Sequence, residues 1–86
     1  MLITSGARVS MHQGTRKLIE ALNAAATMNE LVARDVASAA EIVARAGSSA
    51  AAQTLRALGA IHERRAAEAR SQAALLAKRN SQPSRG

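Results

Sequence analysis

Large apolar residues recur along this chain at spacings of three and four, and the recurrence breaks only once. In the first half the 3–4 rhythm picks out Leu18, Leu22, Ala25, Asn29, Val32, Val36, Ala39, Val43 and Ala46. In the second it picks out Ala51, Leu55, Leu58, His62, Arg65, Ala69, Gln72 and Leu76. This is the period of one helix face, and no stretch alternates as a strand would. The pattern predicts a helix over 11–46, a turn at 47–49 and a second helix over 50–79. A flexible basic arm at 1–10 and a disordered tail at 80–86 are expected to flank them.

The break carries its own chemistry. Gly47 accepts positive φ and suits the C′ position that stops a helix, and Ser48 or Ser49 then suits the N-cap of the next. So short a connection forces an antiparallel hairpin. Ser10 or Thr15 is the expected cap of the first helix, and Glu30→Arg34 and Glu41→Arg45 have the favourable acid-first i,i+4 order. Folding back at 47 sets Leu18 against Leu76, Val36 against Leu58 and Asn29 against Arg65. The expected fold is all-α: an antiparallel two-helix hairpin that dimerises into a four-helix bundle.

Composition explains why a partner is needed. The 86 residues include no Phe, Tyr, Trp or Cys, and Ala supplies much of the 48% apolar content. A buried Ala contributes little apolar area, and an unstapled core of this size is marginal. Ile19, Leu31, Ile42, Ile61 and Leu75 flank the rhythm, and a second hairpin would cover them. Homo-oligomerisation, with a dimer favoured, is therefore expected. The missing Cys fits a reducing, cytoplasmic setting. No stretch is apolar enough for a membrane span, and the first residues are too short for a signal-peptide apolar region.

Net charge is +6 and uneven. Over residues 18–46 Glu20, Glu30, Asp35 and Glu41 outnumber Arg34 and Arg45, whereas residues 50–80 are basic. Arg56, Arg64, Arg70 and Lys78 fall within about a third of its circumference, on an arc expected opposite the seam and interrupted by Glu63. Such a stripe suits phosphate contacts, and an ordinary solvated face carries the same residues. The absence of aromatics speaks against stacking single-stranded bases.

Candidate catalytic chemistry is sparse. The carboxylates are scattered, no Glu-x-x-His pair or phosphate-binding glycine loop is present, and His12 has no partner at ligand spacing. The expectation is that the chain is not an enzyme and has no catalytic, metal or cofactor site. His62 reads as a half-buried side chain satisfied by a polar neighbour such as Asn29, in preference to a metal ligand or general base. Asn29, His62 and Arg65 form a polar interruption of the seam. Either they set its register, or Arg65 marks its edge and snorkels outward.

Over residues 41–78 the chain resembles phasins, the helical proteins that coat polyhydroxyalkanoate granules. The likeness lies in Ala40-Glu41-Ile42-Val43-Ala44-Arg45-Ala46, Gly47-Ser48-Ser49-Ala50-Ala51, Arg64-Arg65-Ala66-Ala67-Glu68-Ala69 and Leu75-Leu76-Ala77-Lys78. It implies an Ala-rich hairpin that adsorbs to a granule surface. The functional expectation is a scaffold or adaptor that self-associates and docks partner surfaces, phasin-like in one version. The alternative is a hairpin dimer that binds nucleic acid through the basic stripe.

Overall fold

A computed structural model describes the backbone of residues 2–81 and the side chains of residues 13–80. It has two helices, α1 (Leu2–Arg45) and α2 (Ser49–Ser81), which pack against each other along their length. The protein is an all-α helical hairpin, 69 × 21 × 11 Å in extent. Helix α1 begins at Leu2 and not at 11, so Ser10 and Thr15 lie within it, and the segment expected to be an arm is helical backbone from Leu2 onward. At the other end Asn80 and Ser81 are helical; the rest of the expected tail, 82–86, lies outside the described residues.

The connection is a Schellman turn that doubles as a cap. Gly47 has φ 94° and is the one described residue with positive φ. Its amide donates to the Ala44 carbonyl at 3.0 Å, and the Ser48 amide donates to the Val43 carbonyl at 3.1 Å. These two bonds satisfy carbonyls that the end of α1 would leave orphaned. The Ser48 carbonyl then accepts the Ala52 amide at 3.1 Å as the first bond of α2. Ser48 thus ends one helix and starts the other, and nothing in the turn is left over to splay the pair.

The seam differs from the expected one at every second position. The fully buried residues are Ala26, Ala33 and Ala40 on α1 and Ala52, Ala66 and Ala73 on α2, joined by Gly59. They recur every seven residues and form one row of a heptad, the a row. The second row, d, holds Leu22, Asn29, Val36 and Val43 on α1 and Leu55, His62, Ala69 and Leu76 on α2. Every one of these is half-buried. The expected rows contain all eight d residues. At the alternate positions they name Leu18, Ala25, Val32, Ala39, Ala51, Leu58, Arg65 and Gln72, each one residue before the true seam position.

The physical reason is closeness. A Cβ placed on Gly59 would lie 3.6 Å from Val36 Cγ1 and 3.8 Å from the Ala33 carbonyl oxygen, so the gap between the helices there is filled by a single methyl group. Only small residues fit between helices that close. Val32 and Leu58, beside Ala33 and Gly59, are too large and remain 37 and 41% exposed.

Candidate functional site: an apolar flank beside a polar one

Heptad position decides where the remaining side chains go. In an antiparallel pair, g and c residues of both helices share one flank of the seam, and e and b residues share the other. The large hydrophobics left exposed are Leu18, Met28, Leu31, Val32, Ile42, Leu58, Ile61 and Leu75. Seven of these eight sit one residue before or two residues after an a position, which is g or c; Leu31 alone lies on the back of α1. The half-buried d row adjoins the same flank, so Leu22, Val36, Val43, Leu55 and Leu76 show their remaining surface there. At its open end the flank forms a shallow depression of about 250 Å³ lined by Gln72, Leu75, Leu76 and Arg79. The hairpin therefore has a thin sealed row of Ala and Gly, and beside it a broad apolar face with no cover.

One polar pair lies in the d row. The His62 Nδ1–H donates to Asn29 Oδ1 at 2.7 Å. Asn29 Nδ2 in turn donates to the Ala25 carbonyl at 2.9 Å, which fixes the amide with its oxygen toward the ring. An amide oxygen only accepts, so the hydrogen of neutral His62 is on Nδ1 and Nε2 is left as the acceptor. Arg65 is not part of this pair: it is exposed on the apolar flank.

The opposite flank is polar and clasped. Arg70 Nε donates to Glu30 Oε2 at 2.8 Å and Nη2 donates to Glu30 Oε1 at 2.7 Å, a bidentate pair joining α2 to α1. Nη2 also reaches Thr27 Oγ1 at 3.2 Å, and Nη1 reaches Asn23 Oδ1 at 3.5 Å. The hydrogen bond from Arg70 holds the Glu30 carboxyl below its ordinary range, with the charges of Arg70 and Arg34 adding to the effect. The same bond raises Arg70. Glu30 thus pairs across the hairpin and not with Arg34. Glu41 and Arg45 do meet within α1, at 3.6 Å, as an exposed pair.

These contacts redistribute the basic stripe. Arg56 and Arg70 are at e positions and Arg64 and Lys78 at the neighbouring f positions, so the four run beside the seam and over the back of α2. Only Arg64 and Lys78 of the expected arc lie opposite the seam. Arg70 is turned inward to α1, while Arg56 and Arg64 are exposed. Local spacing pairs Glu30 with Arg34, and no signal within one helix reveals a partner 40 residues away.

Among the described residues no three His, Cys, Asp or Glu side chains gather as metal ligands do, and no helix is long and apolar enough to cross a membrane. No family model matches the chain, and neither curated proteins nor solved structures give a match.

Proposed function

We propose that this protein is a non-enzymatic helical scaffold that self-associates and docks partner surfaces through its apolar flank. The observation that carries the reading is the segregation of seven exposed large hydrophobics onto one side of the seam. Apolar side chains gathered on one side in this way point to an interaction surface, whereas scattered exposed Leu or Val residues do not. The large d residues support the same reading. They are half-buried in the hairpin and would be completed by helices laid across them, as in a four-helix bundle. The absence of Cys suits a reducing compartment, and we place the protein in the cytoplasm on that ground. Adsorption to a granule surface, as in phasins, is one use of such a face.

The test is a triple change, Val32→Gln, Leu58→Gln and Ile61→Gln, followed by sedimentation and circular dichroism. All three lie outside the buried Ala and Gly row and are about 40% exposed, and an unchanged circular dichroism spectrum checks that the hairpin is kept. Association should weaken by at least about 100-fold, since each lost side chain removes on the order of 1 kcal/mol or more of apolar burial per copy. Unchanged association would refute the reading.

Nucleic-acid binding through α2 is the second reading, and the +6 net charge favours it. Its test must leave Arg70 alone, because removing that residue also removes the clasp to Glu30. Replacing Arg56, Arg64 and Lys78 by Gln should flatten the salt dependence of duplex binding by about one slope unit per lost phosphate contact. No gel shift of the unaltered protein at physiological salt would dismiss this reading.

A further inference from the structure

Folding the chain back on itself gathers all of its net charge at one end. Residues equidistant from the turn come level across the seam, as Val36 does with Gly59. By the same symmetry residue 20 is level with 75, and residues 20–75 make up the closed part of the hairpin. Within that part the six acids of the chain, Glu20 through Glu68, are matched by six arginines, Arg34 through Arg70. The net charge of +6 therefore lies wholly at the open end, in residues 1–19 and 76–86, which contain no acid. There Arg16 comes level with Arg79 and Lys17 with Lys78, and all four are exposed. The apolar flank reaches the same end with the exposed Leu18 and Leu75 and the half-buried Leu76. Lys17 and Lys78 occupy f positions, just behind the two outer edges of this flank, and Arg79 occupies a g position on it. Leucines thus lie between cations at the one part of the hairpin where no acid offsets them.

We propose that the open end of the apolar flank docks on an anionic lipid surface, with Leu18 and Leu75 entering the headgroup layer and Lys17, Lys78 and Arg79 meeting the lipid phosphates. The proposal rests on the docking half of the scaffold reading above and names the surface. Charge and apolar area together select this partner. A protein interface would have to bury Arg79 and Gln72 beside the leucines and desolvate both. A bilayer interface takes leucine and cation at nearly the same depth, because long basic side chains lay their stems on apolar surface and keep their heads in water. A nucleic-acid duplex would match the charge and leave both leucines in water. An uncharged lipid surface would match the leucines and leave the cations without partners. Neither signal suffices by itself, since short apolar insertion and a few basic residues each bind reversibly and weakly, whereas the two combined hold a peripheral protein in place.

The test is co-sedimentation of the full chain with vesicles of phosphatidylcholine alone and of phosphatidylcholine mixed with phosphatidylglycerol. The unaltered protein should bind the mixed vesicles and bind the uncharged ones at least about tenfold more weakly. Replacing Lys17, Lys78 and Arg79 together by Gln should weaken binding to the mixed vesicles about 100-fold, at roughly fivefold per cation near an anionic surface. Leu18→Gln with Leu75→Gln should weaken it about tenfold or more. All five residues are exposed, and circular dichroism checks that each variant keeps the hairpin. No binding to the mixed vesicles, or equal binding to both kinds, overturns the proposal. So does binding that falls with the cation variant and not with the leucine variant: such a protein reads charge alone, and duplex DNA would hold it equally well. Sedimentation without vesicles reports self-association separately. A dimer that ignores vesicles removes this proposal and leaves self-association standing, whereas a monomer that binds the mixed vesicles keeps the proposal and removes self-association.

Discussion

Gly59 shows how finely the seam is graded at the level of single residues. It occupies an a position whose other members on α2 are Ala52, Ala66 and Ala73, and it carries the helix penalty of glycine, about 1 kcal/mol relative to Ala. A Cβ there would meet Val36 at ordinary van der Waals distance. Gly59→Ala should therefore stabilise the hairpin by about 0.5–1 kcal/mol, measured as a rise in denaturation midpoint. A fall would mean that α1 and α2 approach too closely at this level for a methyl group. The pair below it behaves differently. His62→Leu alone leaves Asn29 Oδ1 without its donor, whereas changing Asn29 and His62 together to Leu removes both polar groups. The double variant should be more stable than the single by about 1 kcal/mol or more, the cost of a stranded polar atom. Equal stabilities in denaturant melts would show that water replaces the ring without cost. The pairing of His62 with Asn29 could be read from the sequence because both fall in the 3–4 rhythm. The a row could not be read so readily. Choosing the larger of two adjacent apolar residues, Leu58 over Gly59 or Val32 over Ala33, is right for ordinary helix packing and wrong for helices close enough that a single Cβ reaches the facing backbone.

At the level of the elements, two devices hold the helices in place, and only one of them is local. The turn is local: Gly47, Ser48 and the helix ends are neighbours in sequence, and its chemistry can be read there. The Glu30–Arg70 clasp is not, because its partners belong to different helices and each has plausible company nearby. Its contribution depends on pH with a definite sign. Glu30 is held below its ordinary value of 4.5 in the fold. Its contribution is therefore complete above the unfolded carboxylate range and is lost as pH falls through the lowered folded value. Stability of the unaltered protein should decline more steeply below about pH 4.5 than that of Glu30→Gln. Parallel acid-denaturation curves would show that the pair contributes nothing in solution, as many exposed ion pairs do.

The hairpin as a whole reverses at one residue with positive φ. The a and d contacts join residues whose numbers sum to roughly 95, so the seam is symmetric about the turn itself. Any L-residue other than glycine is strained at φ 94° by roughly 1–2 kcal/mol, and Ala also favours continuing the helix. Gly47→Ala would then run α1 into α2 as a single rod of about 120 Å at ~1.5 Å per residue. Two such rods, laid antiparallel, recreate every seam contact between chains that the hairpin makes within one. Scattering should report the lengthening from 69 Å, and a variant that keeps the original length would show that the seam outweighs the strain. The sequence thus encodes a fold and its domain-swapped counterpart with the same side chains, and the choice between them falls to the absence of one methyl group.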